Sequence, residues 1–390
     1  MFLTTNHNLN KLSYGFGTLF IAVGGIQQYL TPYFNSLGQP NVGFNVLLII
    51  YISIFISNFS ASFFINRFGT KNLLITTSLF YLLGLMLIVF TNEYFAYLGA
   101  TILGLGGAVL WNSQNGYLLK ISSEKNRGEN SGFFIAVFQT GSLLSVLLLG
   151  LIVEIYGFST SFIIILGVGF LSLLLFINLD NIDGDTQPKK AFSFSLKTPT
   201  LFRVSMMNAF SYHLLYGLSF SLVPLHIYLV TKSTFIVAIV SSFFYLFPML
   251  FSKKIGTYSD LNGRKRVALV GAILSIVGLL VFNFSDGLFM LIIGSLLVAL
   301  SMTLLSPIFI ALQGDISSSN TQVYITNVFM FFKYLGLIVG IAICLLLGIK
   351  LAYLVLMGLV LIGLLLGYKL MLDIPSLKRK IGIEVDFILK

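Results

Sequence analysis

Asn66-Arg67-Phe68-Gly69-Thr70-Lys71-Asn72 returns 194 residues later as Asp260-Leu261-Asn262-Gly263-Arg264-Lys265-Arg266 in a chain of 390 residues. Each copy occupies a short basic gap between two long apolar runs. The second copy is the fuller one, reading Gly256-x-x-x-Asp260-x-x-Gly263-Arg264-Lys265-Arg266. The first has Ser62 in place of the leading glycine and Asn66 in place of the acid. A motif repeated at half-length between apolar runs marks a duplicated membrane domain.

Composition points the same way. Hydrophobic residues make up 57% and charged residues 9%, so a water-soluble fold would have too little polar surface to cover itself. Mean hydropathy is +0.97. The single cysteine, Cys344, excludes disulfides and cysteine-rich metal sites, and His7, His213 and His226 are too far apart for a zinc motif. A net charge of +10 could suggest nucleic acid, but the basic residues lie in gaps between apolar runs and serve as a topology signal. No phosphate loop or nucleophile constellation occurs, so neither an ATP-driven pump nor an enzyme is expected, and no cofactor.

The apolar runs predict an all-α membrane protein of twelve spans, near 12–33, 44–65, 73–90, 95–118, 131–155, 158–178, 203–230, 234–252, 267–284, 287–311, 321–348 and 350–371. Each can cross a hydrocarbon layer of about 30 Å. With the N-terminus inside, 20 of the 23 Lys and Arg fall on the cytoplasmic side and only Lys232 and Lys350 face out. That asymmetry places both termini in the cytoplasm, in a cell membrane. The polar stretch 179–202 reads as a linker between six-helix bundles over 1–178 and 203–372, with a cytoplasmic tail over 373–390. The first span is too long for a cleaved signal peptide and lacks a small-residue cleavage site.

Twelve spans, a central linker and the loop after span 8 resemble the major facilitator superfamily over nearly the whole chain. Four strings in the first half resemble its Unc-ninety-three-like branch: Gly25-Ile26-Gln27-Gln28, Ile65-Asn66-Arg67-Phe68-Gly69-Thr70-Lys71, Leu110-Trp111-Asn112-Ser113-Gln114-Asn115-Gly116-Tyr117-Leu118, and the segment from Arg127 to Gln139. The resemblance implies two halves moving around a midplane site. It also implies a cytoplasmic latch in the loop motifs, made by Asn66, Arg67, Gly69 and Lys71 in the first copy. The second copy supplies Gly256, Asp260, Gly263, Arg264 and Arg266. Asp260 is expected against the start of span 5, where Ser131-Gly132 would let a helix N-terminus approach. Asn66 cannot supply the same charge, so the first latch should be the weaker. Basic anchoring of the loops is the plainer alternative.

Related proton-coupled exporters carry an arginine in span 4 and a Gly-Pro pair in span 5. Here Ala100 occupies the arginine position and span 5 has no proline. No Asp or Glu lies at mid-depth in any span, so carboxylate proton coupling has no titrating group.

Lys333 does lie at mid-depth, about twelve residues into span 11. A central lysine costs about 2.5–3.5 kcal/mol on insertion scales. The 194-residue offset pairs it with Gln139, which suggests a cavity shared by the two halves. Snorkelling among aromatic neighbours is the alternative. Spans 1, 4 and 7, which line the pathway in the resembled superfamily, add Gln27, Gln28, Trp111, Asn112, Asn115, Tyr212, His213 and Tyr216. Amides and hydroxyls also join helices to one another, so each of these has a structural reading too.

The sequence thus leads to a secondary transporter for a small polar solute, anionic ones included, working as a monomer by alternating access in a lipid bilayer. The alternative is a membrane protein that regulates or escorts a protein partner. Very short outer loops favour the transporter.

Overall fold

A computed structural model describes residues 4, 6–89, 92–122, 127–182, 198–316, 322–368, 370, 379–382 and 385. Every regular element among the described residues is helical. In order, the spans are His7–Ser36, Pro40–Asn58, Thr70–Val89, Glu93–Lys120, Arg127–Tyr156, Phe158–Ile177, Pro199–Thr231, Thr234–Asn262, Arg264–Asn283, Leu288–Asp315, Gln322–Leu346 and Ile349–Gly367. A short helix, Ala61–Phe68, follows span 2.

Eleven of these helices are long and apolar enough to cross a membrane. The remaining one, span 1, has 30 residues, but Gln27, Gln28 and several glycines dilute its hydropathy. It is buried along most of its length, whereas span 6 leaves Ile163, Leu171 and Leu174 bare. Large exposed aliphatic faces of this kind need lipid as their solvent.

Most span ends fall within four residues of the expected positions. Span 8 is different: it was expected to stop near residue 252, at Lys253-Lys254, but the helix runs to Asn262. Charge ends a membrane crossing without ending a helix, and the single Gly256 is tolerated inside it, so the helix ends only at Gly263.

The chain forms two compact units. One comprises Met1–Ala191 with Lys232–Tyr245, and the other Phe192–Thr231 with Leu246–Lys390. In the first unit, spans 1 and 5 meet backbone to backbone, since a side chain at Gly141 would collide with the backbone of Gly17. That approach lets the Ser145 hydroxyl accept from the Gly25 N–H at 2.7 Å. Small residues are the common solution to close helix packing in lipid. The second unit packs Val204, Met207, Leu305, Ile308, Ile325 and Phe332 into its core. Most of the expected linker, 183–197, lies outside the described residues.

Candidate functional site

Span 7 is not one regular helix. Between Pro199–Asn208 and Leu214–Phe220 it makes a π-helical turn at Ala209–His213. There the Leu214 N–H donates to the Ala209 carbonyl five residues back. A π turn inserts one extra residue and rotates the side chains that follow, and such turns concentrate at functional sites. This one carries Tyr212 and His213, with ring centroids 4.6 Å apart, and Tyr216 lies 5.9 Å from Tyr212. Ser306 on span 10 lies beside the Tyr212 hydroxyl.

Span 11 brings Lys333 to the same place. His213 is within electrostatic reach of Lys333, whose ammonium lies 5.5 Å from the Tyr334 ring centroid. Lys333 is half-buried, and among the described residues no carboxylate pairs with it. The spacing is fixed one turn further along. A side chain at Gly336 would come within 2.6 Å of the Ala209 carbonyl, and one at Gly340 within 2.5 Å of the Leu214 carbonyl. The two glycines therefore hold span 11 directly against the π turn.

The candidates in the first unit separate into different roles. Trp111 lies in an aromatic cluster with Phe16, Phe20 and Phe138, at centroid distances of 5.5, 5.4 and 5.4 Å. The next residue, Gln139, has a buried Oε1 with no partner among the described residues. Gln27 is buried. Gln28 is fully buried, and its amide donates to Ser241 Oγ at 3.0 Å and accepts from the Tyr245 hydroxyl at 3.1 Å. Asn112 donates to Asn58 Oδ1 at 3.2 Å and to the Ala108 carbonyl at 2.7 Å, joining span 4 to the end of span 2. Asn115 is exposed.

The expected wall is thus brought together in parts: Tyr212, His213, Tyr216 and Lys333 in one unit, Trp111 and Gln139 in the other. Gln28 and Asn112 instead make helix-to-helix bonds. Ser306, beside Tyr212 on span 10, was not among the sequence candidates. Gln114, named above only within the span 4 string, has a buried Nε2 with no partner among the described residues. The Ser306-Pro307 kink and the polar run around Asn112 were the available signals.

The loop motifs share a backbone. Gly69 has φ +78 and Gly263 has φ +87, so the two equivalent glycines turn the chain alike before the next helix. Asn66 and Lys71 are half-buried, and Arg67 lies exposed over the Phe68 ring at 5.7 Å. Gly256 lies within span 8 and Arg266 is exposed. Arg264 donates through Nε to Asp315 Oδ2 at 2.9 Å and through a terminal nitrogen to Ser259 Oγ at 2.7 Å. The Asp260 side chain lies outside the described residues; at the start of span 5, where it was expected, Ser131 is half-buried and Gly132 is exposed.

Peptide transporters are among the solved structures similar to this one. A peptide transporter in complex with sulfate aligns with a TM-score of 0.75 at 13% identity, covering 96% of this chain and 95% of its own. An auto-inhibited peptide transporter aligns at 0.76 and 11%, covering 98% and 97%. A variant peptide transporter in complex with alafosfalin aligns at 0.74 and 13%, covering 95% of each. At such identities the likeness is one of fold. The sequence model of the Major Facilitator Superfamily matches residues 12–231 and 205–386. With both halves matched, and the same turn built at Gly69 and Gly263, the chain belongs to the Major Facilitator Superfamily.

Proposed function

We propose that this secondary transporter moves a small polar solute carrying an anionic group by alternating access, with both termini in the cytoplasm. Lys333 carries the reading. It is a mid-span lysine beside His213, Tyr212 and Tyr334, with no carboxylate partner among the described residues. An intramembrane cation needs a counter-charge or a polar partner, and a solute anion would supply one at the moment of binding. Tyr212 and Tyr216 add an aromatic wall with hydroxyl groups.

The solved neighbours are described as peptide transporters, one with sulfate and one with alafosfalin bound. Short peptides and small oxyanions therefore belong in the first panel of solutes. The test is uptake of that labelled panel by liposomes holding the purified protein. Lys333→Gln should abolish uptake of the anionic cargo while leaving the protein monodisperse. Normal uptake by Lys333→Leu would overturn the anionic reading.

The second reading, a membrane protein that regulates a partner, is supported by the first-half strings resembling the Unc-ninety-three-like branch. Folded protein that moves no solute, yet co-purifies with another membrane protein, would favour it.

A further inference from the structure

Span 8 is a single helix, Thr234–Asn262, yet it is shared between the two units. Lys232–Tyr245 belongs with the first unit, while the chain before it and from Leu246 onward belongs with the second. Both crossings coincide with a backbone irregularity. Lys232 has φ +55, a left-handed conformation that residues with a side chain rarely adopt. Pro248, three residues past the second crossing, has no N–H, so the Phe244 carbonyl loses its helical donor there.

The segment between these points is tied to spans 1 and 5 by polar bonds along its length. At its start, the Glu154 carboxylate at the end of span 5 accepts from Ser233 Oγ at 2.6 Å and from the Phe235 N–H at 3.1 Å. A carboxylate on the first N–H groups of a helix also meets the positive end of the helix dipole. One residue along, Thr234 donates its hydroxyl to the Gly150 carbonyl at 3.2 Å, and the Tyr29 hydroxyl donates to the Thr234 carbonyl at 3.1 Å. Two turns deeper, Gln28 holds Ser241 and Tyr245. Ala238 lies so close to Gly150 that a side chain there would collide with it.

We propose that Thr234–Tyr245 is a movable gate segment. Glu154 is its latch, and the segment swings about Pro248 away from spans 1 and 5 when the latch releases. Glu154 is suited to this because it is exposed at the end of its helix, where water can compete for the carboxylate. The Gln28 bonds are buried and act as the second, slower catch. In the orientation proposed above, the segment lies at the outer end of span 8.

The test needs no solute, so its outcome is independent of what the protein carries. Ser241 is fully buried and becomes the reporter as Ser241→Cys, with the buried native Cys344 as the silent background. Maleimide labelling of the reporter is followed in purified full-length protein alone, with Glu154→Gln, and with Glu154→Ala. Glu154→Ala should raise the labelling rate about tenfold, in line with the five- to thirtyfold population changes that follow loss of one strong bond. Glu154→Gln, which keeps an acceptor but no charge, should fall between. Adding Pro248→Ala to Glu154→Ala stiffens the joint and should return the rate toward that of the parent. Equal rates in all Glu154 variants, with circular dichroism unchanged, would overturn the latch. A rate that ignores Pro248→Ala would overturn the hinge.

Discussion

Arg264 reaches Asp315 across 2.9 Å and so fastens the turn between spans 8 and 9 to the end of span 10. Two residues 51 apart in sequence thereby close a ring that also takes in Ser259. Asp315 is about one-third exposed, so solvent screens the pair. Its coupling energy should be about 0.5–1 kcal/mol. A double-mutant cycle with Arg264→Ala and Asp315→Asn, read by thermal unfolding in detergent, should return a value in that range. Strict additivity would mean that the contact is only geometric.

Gly263 tests the turn itself. With φ +87 it lies where only glycine is comfortable, and no atom would lie within 4 Å of an added Cβ. Any loss in Gly263→Ala is therefore backbone strain, expected at about 1–3 kcal/mol. Asparagine tolerates the ordinary left-handed region, but the ψ of 140° here lies outside it, so Gly263→Asn should lose stability as well. An unfolding midpoint unchanged in both variants would remove the conformational requirement.

These two positions show how far the sequence could be read. The 194-residue echo located Gly69 and Gly263, and the positive φ at each was implicit in a glycine between two helices. Hydropathy located the spans because lipid demands long apolar helices, whatever their neighbours. It could not report that Arg264 meets Asp315 or that Gln28 meets Ser241, since those contacts depend on helix rotation and crossing. The π turn at Ala209–His213 left no mark either. Its five residues are ordinary helix formers, and packing on Gly336 and Gly340 accompanies the extra residue. Lys333 was visible because a charge in an apolar run is costly, whereas Ser306 on span 10 came beside Tyr212 only through the fold.

Gly336 should be intolerant of even one methyl group. Its Cβ would come within 2.6 Å of the Ala209 carbonyl and 3.0 Å of the Ala209 Cα, and backbone atoms cannot step aside as a side-chain tip can. Gly336→Ala should cost about 1–3 kcal/mol and push span 11 away from the π turn. Gly358 on span 12 provides the control, since nothing would lie within 4 Å of its added Cβ. Gly358→Ala should be neutral or stabilise by up to about 1 kcal/mol through helix propensity. Thermal unfolding of the two variants side by side separates crowding at the site from a general intolerance of alanine. Equal midpoints would show that the close approach at Ala209 is not needed.

Gln28 distinguishes a solute ligand from a structural bond. Its side chain is fully buried and both ends of the amide are engaged, the nitrogen with Ser241 and the oxygen with Tyr245. A ligand residue would be expected to keep one end open. Gln28→Leu preserves the approximate volume but removes both bonds, leaving two hydroxyl groups to find other partners. Hydrogen bonds between membrane helices average about 0.6 kcal/mol, so the loss should be about 1–2 kcal/mol. Tyr245→Phe, which removes one of the two, should lose about half of that. Solute affinity should change far less than in Lys333→Gln, because the amide is occupied in the structure by its own protein. If Gln28→Leu unfolds at the parent temperature yet fails to bind, the amide serves the solute and the bonds to Ser241 and Tyr245 are incidental.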